Sequence, residues 1–327
     1  MRFGLFGGAR TKRALGLEDS QGYESFIDYV VEADRLGFAH MFMVEHHFTG
    51  HGQVSASMTL LAYLAAKTKT IRLGTAVVVL PWHNPVLIAE QAATLDLLTG
   101  GRFDFGVGKG YRQAEFDGFC IPIDEASERF DEAIAIIRKA WTTAGRFSHH
   151  GKRWHYDDIL VEPEPLQRPH PPLWLAAGSA SSIRRAAREG FNLLLDQLAQ
   201  TDQIGQRIAL FKAECANAGR TYDASMVATA RPLQMIHSEA ERAEAYATRK
   251  RVIGTIGDLA RDKLADRVED DTAPLLGTPD EVIARLRQLE AVGATNILLV
   301  DPNASVANLR AFAREVMPAF QPARAAE

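Results

Sequence analysis

Short β-rich runs alternate along the chain with longer segments whose apolar residues recur every three or four positions. Arg2–Phe6, Ala39–Val44, Ile71–Leu80 and Arg102–Val107 read as strands, and Leu173–Ala177, Asn192–Leu195, Met226–Ile236 and Asn296–Val300 supply four more. Helical spacing fills the intervals. Tyr23–Leu36 places Phe26, Val30 and Ala33 on one face, and a helix capped by Ser127 sets Phe130, Ile134, Ile137 and Trp141 in a buried stripe. Asn84 before Pro85 is a cap followed by proline at the first helical position, opening a helix faced by Ile88, Ala92, Leu95 and Leu98 that Gly100-Gly101 ends. Thr278 and Glu281 have capping-box spacing ahead of Val282, Leu286 and Leu289. Further helices are predicted at Ser55–Ala66, Ser181–Arg188, Asp202–Ala218, Glu239–Lys263 and Val306–Val316.

Eight strands, each followed by helix, predict an α/β fold of the (β/α)8 TIM-barrel type with loop insertions, spanning residues 1–327 as one domain. An open doubly wound sheet is the structural alternative. The alternation pauses over residues 145–172, a Gly-, His-, Tyr- and Pro-rich excursion. With 46% hydrophobic and 24% charged residues the 327-residue chain has the composition of an ordinary globular protein. Its net charge of −4 and lack of a basic run argue against nucleic-acid or membrane partners and leave a small molecule. Cys120 and Cys215 are too few for a disulfide framework, and the N-terminus carries no leader pattern, so a cytoplasmic setting is expected. Cys120 reads as a buried, inert thiol.

In a barrel, chemistry collects where strands run out into helices. That rule points to Gly7-Gly8, Glu45-His46-His47-Phe48, Ala76 to Trp82, Gly108-Lys109-Gly110-Tyr111, Gly178-Ser179, Asp196-Gln197, Arg231 and Asp301. Imidazole titrates near neutrality, so His46 or His47 suits acid/base work, although either could equally serve packing. The metallohydrolase pattern is missing, because Phe3-Gly4-Leu5-Phe6 offers no ligand on the first strand, and no metal is expected. Lys109 among glycines and the serines at 179, 181 and 182 at a helix start both suit a phosphate, whereas plain serine capping is the simpler account of the latter. No helix is read directly after Gly110. Trp82, Phe48, Tyr111, Trp154 and Tyr156 suggest an apolar substrate site, and the loops Gly8–Ser20, Thr49–Val54, Gly145–Pro172 and Asp262–Leu276 are its expected walls.

These residues resemble the bacterial-luciferase family of flavin-dependent oxidoreductases over nearly the whole chain. The likeness runs through Phe3-Gly4, Glu45-His46-His47-Phe48, Leu73-Gly74-Thr75-Ala76-Val77, Leu80-Pro81 with His83 and Pro85, Gly101-Arg102-Phe103, Pro171-Pro172-Leu173-Trp174, Gly178-Ser179, Gly293 with Asn296, and Val316-Met317-Pro318. It implies a barrel that binds reduced FMN from a separate NAD(P)H:flavin reductase and uses oxygen, through a peroxyflavin, to oxygenate a small organic substrate such as an aldehyde or ketone. A homodimer is also implied. His46 takes the catalytic acid/base role, and Ala76-Val77 matches a non-prolyl cis peptide beneath the flavin. Glu45, Gly108, Lys109, Tyr111, Gly178, Ser179, Ser182 and Asp196 complete the expected cofactor positions, Asp196 from its place at a strand end alone. Gly108 stands where luciferase has a reactive cysteine, Gly178 replaces a glutamate, and the mobile loop of the light-emitting subunit looks shortened around Asp262–Leu276, so light emission is not expected. A deazaflavin-dependent hydride-transfer enzyme and a non-catalytic flavin-binding relative are the alternatives.

Overall fold

The computed structural model describes residues 1–11, 18–260 and 273–321. In chain order its elements are β1 (Arg2–Gly7), α1 (Asp19–Arg35), β2 (His40–Met43), α2 (Ser57–Lys67), β3 (Arg72–Thr75), β4 (Val78–Val79), α3 (Pro85–Leu98), β5 (Phe103–Gly108), α4 (Gln113–Gly118) and α5 (Ala126–Thr142). They continue with β6 (Phe147–His150), β7 (His155–Ile159), β8 (Leu173–Ala176), α6 (Ala180–Arg188), β9 (Asn192–Leu195), α7 (Thr201–Asn217), β10 (Val227–Met235), α8 (Glu239–Ala260), β11 (Leu275–Gly277), α9 (Pro279–Ala291), β12 (Asn296–Val300) and α10 (Val306–Glu315).

The strands follow the order β10-β12-β1-β2-β3-β5-β8-β9, and β9 pairs back with β10, so the sheet closes on itself with eight strands. Its ladders of described register are parallel. This is the TIM-barrel-like fold, and the eight strands are those the periodicity predicts. Two short strands, β4 and β11, are added to the sheet by pairing with β5 and β10.

By density of contacts the chain forms two compact units. The first comprises Gly8–Ile27 and Met41–Ala176. Its core packs Phe42 edge-on against Trp174 at 5.2 Å and Phe105 against Trp141 at 5.4 Å. Asp104 is buried there without leaving a charge unpaired: Arg72 binds both its oxygens, at 2.8 and 3.1 Å, and Trp174 Nε1 donates to Oδ1. Asn84 caps α3 by accepting from the Val86 and Leu87 N–H groups, as Asn before Pro predicts. The second unit comprises Met1–Gly7, Asp28–His40 and Ala177–Glu327. There Phe3 meets Phe312 and Phe320 edge-on, and the capping box of Thr278 and Glu281 opens α9.

Several local readings change. Ile71–Leu80 is two strands, Arg72–Thr75 and Val78–Val79, and the Ala76-Val77 peptide between them is cis. Ser127 is not a cap: α5 begins one residue earlier, and the Ser127 hydroxyl instead accepts from Lys109 Nζ at 3.1 Å. Leu98 is exposed rather than inward, since it lies in the last turn of α3. Cys120 is exposed, in a left-handed backbone conformation that turns the chain after α4. The helix α4 starts soon after Gly110, where only a connection was predicted. The excursion at 145–172 contains the antiparallel hairpin β6–β7. Of the expected loops, residues 12–17 and 262–272 lie outside the described residues, as does the predicted helix end at 261–263.

Candidate active site

Hydrogen bonds to neighbouring main chain fix the segment after β2. The His46 N–H donates to Val54 O, the Val54 N–H donates to Ala9 O, and the Ala76 N–H reaches back to Met43 O at 2.6 Å. On the far side Thr75 ties β3 to β5 by donating to Gly106 O and accepting from the Gly106 N–H. These bonds bring Glu45, His46, Ala76, Val77 and Gly108 into one unit with fixed backbone.

His46 Nδ1 lies 3.0 Å from Glu115 Oε1, and the same oxygen accepts from the His47 N–H at 3.0 Å. Glu115 is buried on α4. A carboxylate only accepts, so Nδ1 carries the proton and Nε2 keeps its lone pair. Burial pulls the His46 pKa below its usual value; the Glu115 bond opposes this, and the charge of Arg112 adds to the lowering. The imidazole is therefore neutral at pH 7, and among the described residues its basic nitrogen has no hydrogen-bond partner.

Glu45 plays a different part. Its buried carboxylate accepts from His83 Nε2 at 2.9 Å, Trp82 Nε1 at 3.2 Å and His47 Nε2 at 3.4 Å through one oxygen, and from Ser57 Oγ through the other. Burial alone would raise its pKa, but the bonds from His47, His83 and Trp82 prevail and hold it at about 2. Glu45 thus organises side chains. Trp82 stacks on Phe119 at 5.2 Å, and Phe119 meets His47 at 4.8 Å and Phe48 at 5.0 Å. Phe48, exposed and in a left-handed conformation, lies so close to Gly118 that a β-carbon there would come within 2.3 Å of its ring.

Gly108 is buried at the end of β5, and a β-carbon on it would sit 2.5 Å from Val77 Cγ2. Val77 thus fills the space a cysteine side chain would need. We expect Gly108→Ala to destabilise the protein by about 1–3 kcal/mol and Val77→Ala to relieve most of that cost in the double variant. Urea denaturation of the four proteins checks this; additive losses would show that the two positions do not compete for space. Lys109 is exposed on its Ser127 contact, and Tyr111 is exposed with its ring 5.5 Å from the Arg112 guanidinium.

The remaining predicted positions belong to the other unit. Ser179 caps α6 by accepting from the Ser182 N–H, and its hydroxyl lies 3.1 and 2.9 Å from those of Ser181 and Ser182. Gly178 precedes them, and a β-carbon there would lie 3.6 Å from both Arg207 and Asp196. Asp196 pairs with Arg207 at 2.7 Å and accepts from the Leu198 and Ala199 N–H groups; burial would raise its pKa, but these partners lower it. Exposed hydroxyls, a helix start and a nearby guanidinium form a donor set that fits a phosphate. Sequence reading missed Glu115, Arg112 and Arg207. The first two sit on and before a helix too short for a periodic signal, and Arg207 is eleven residues from its partner. Among the described residues no group of His, Cys, Asp and Glu could hold a metal ion, and no helix is long and apolar enough to cross a membrane.

A family model described as luciferase-like monooxygenase matches residues 1–296. The oxygenase component of a flavin-dependent trigonelline monooxygenase from Acinetobacter baylyi is 28% identical over 98% of this chain and 96% of its own. An FMNH2-dependent dimethylsulfone monooxygenase from Pseudomonas putida is 28% identical over 81% and 79%. The uncharacterized protein y4vJ of Sinorhizobium fredii is 34% identical, over 63% of this chain and 58% of its own length. Among solved structures, the monooxygenase RslO1 from Streptomyces bottropensis superposes with a TM-score of 0.88 at 26% identity, over 98% of this chain and all of that one.

Proposed function

Because this chain belongs to the luciferase-like monooxygenase family, we propose that it is the oxygenase of a two-component system, using reduced FMN and O2 to oxygenate a small organic substrate with His46 as acid/base. The observation that carries the reading is the His46–Glu115 pair, a half-buried neutral imidazole with one nitrogen held by a carboxylate and, among the described residues, no hydrogen bond at the other. The relatives bear on the cofactor: one is named as an oxygenase component and another as FMNH2-dependent. A separate flavin reductase would supply the reduced cofactor. When bound, reduced FMN supplies the electrons that activate oxygen.

This chain's residues supply the setting. The start of α6, with Ser179 and Ser182, offers donors for a phosphate. The segment at Ala76-Val77 and the side-chain-free Gly108 leave backbone at the end of β5. His46 takes a proton at Nε2 and returns it there, while Glu115 keeps Nδ1 protonated and the ring oriented. The aromatic group of Trp82, Phe119 and Phe48, held through Glu45 and His47, is suited to shielding that exchange from water.

The test is an anaerobic titration with reduced FMN and with reduced deazaflavin, followed by mixing with oxygen. We expect binding of reduced FMN and an oxidation course that differs from that of free flavin. Binding of the deazaflavin alone, with indifference to oxygen, would move the assignment to hydride transfer.

A further inference from the structure

Arg112 is 6% exposed, yet among the described residues its Nη1 finds no hydrogen-bond acceptor, and it lies 3.8 Å from Glu115 Oε1. That oxygen is already taken by His46 Nδ1 and the His47 N–H. Among the described residues Nε of Arg112 reaches only the Tyr111 hydroxyl, at 3.3 Å. A buried guanidinium so weakly matched is costly unless an anion completes it. A second arginine adds to the excess. Arg10 forms a β-bridge with Gln53, beside the Val54 carbonyl that accepts from the His46 N–H. Crowding of its charged end, and then the charge of Arg112, lower its pKa, so the Arg112 charge disfavours that of Arg10. The other carboxylate felt by His46, that of Glu45, bonds His47, Trp82, His83 and Ser57 and, among the described residues, no arginine.

We propose that Arg112 and Arg10 form a receptor for a carboxylate carried by the organic substrate, beside the His46–Glu115 pair. The planar guanidinium fork matches a carboxylate in two parallel hydrogen bonds, which orients as well as binds. Anchoring the substrate there fixes which of its atoms meets the base. The Arg112 charge also lowers the His46 pKa, so a charge that holds the anion helps keep the imidazole unprotonated. The inference deepens the monooxygenase reading and rests on it for the role of His46.

Calorimetric titration of the full chain with benzoate and with its neutral analogue benzamide, each with and without FMN, tests it. Benzoate should bind at least about tenfold more tightly than benzamide, as expected for charge-assisted bonds. Arg10→Met, at an exposed position, and Arg112→Met should abolish that preference, and Arg112→Lys should restore part of it. Equal affinity for benzoate and benzamide would overturn the proposal. So would arginine variants that weaken FMN but not riboflavin and leave benzoate untouched, because the anion would then be the cofactor's phosphate. Selective benzoate binding by a protein that binds no FMN would support the receptor while sinking the cofactor reading.

Discussion

His46→Ala should lower turnover by about 10²–10⁴-fold, the usual worth of a positioned acid/base, with little change in the affinity for reduced FMN. The prediction carries a pH signature that a merely structural histidine would lack. Burial and Arg112 hold the His46 pKa below its usual 6.5, so the wild-type enzyme should stay active below that pH, until the ring protonates and its free nitrogen is lost. Glu115 opposes the lowering through its hydrogen bond and its charge. Glu115→Gln should therefore move the acid limb of the kcat profile to lower pH, and Arg112→Met should move it up. Profiles measured with the reductase in excess would decide; a His46→Ala enzyme with wild-type turnover, or limbs that do not move, would remove His46 from the reaction.

The largest effect on stability is expected at Glu45. Its carboxyl is held at about 2 in the folded protein, against a usual 4.5. Above pH 4.5 it is ionised in both states and its stabilisation is complete. Between pH 4.5 and 2 the unfolded chain takes up the proton first, so stability falls, and below about pH 2 the contribution is gone. A shift of that size corresponds to roughly 3 kcal/mol. Glu45→Ala at neutral pH should cost roughly 3–5 kcal/mol, because His47, Trp82, His83 and Ser57 all lose their acceptor. Denaturation in urea at pH 7 and pH 3 would show it: the wild type should lose stability between the two, and Glu45→Gln should lose less. A Glu45→Ala protein as stable as the wild type would mean that its donors find water instead.

Glu45 and His46 show how far sequence reading carries into the site. Their place after the second strand marked them as functional, yet nothing in adjacent positions distinguishes a base from an organiser. The distinction depends on partners 38 and 69 residues away, His83 for the one and Glu115 for the other. Gly108 is a similar case. Its departure from the family's cysteine was visible in the sequence, but the reason, Val77 standing in the space, is a contact between two strand ends.

The alternation of period-two and period-three-to-four runs determined by itself the eight strands, their helices and the barrel, because each element's burial pattern is written locally in its own residues. The caps at Asn84 and Thr278 followed from neighbours within three positions. Tertiary structure alone decided the short helix that delivers Glu115 and the surface position of Cys120. Proton affinity and charge balance are properties of what surrounds a group in space, and those surroundings come from segments that the sequence keeps far apart.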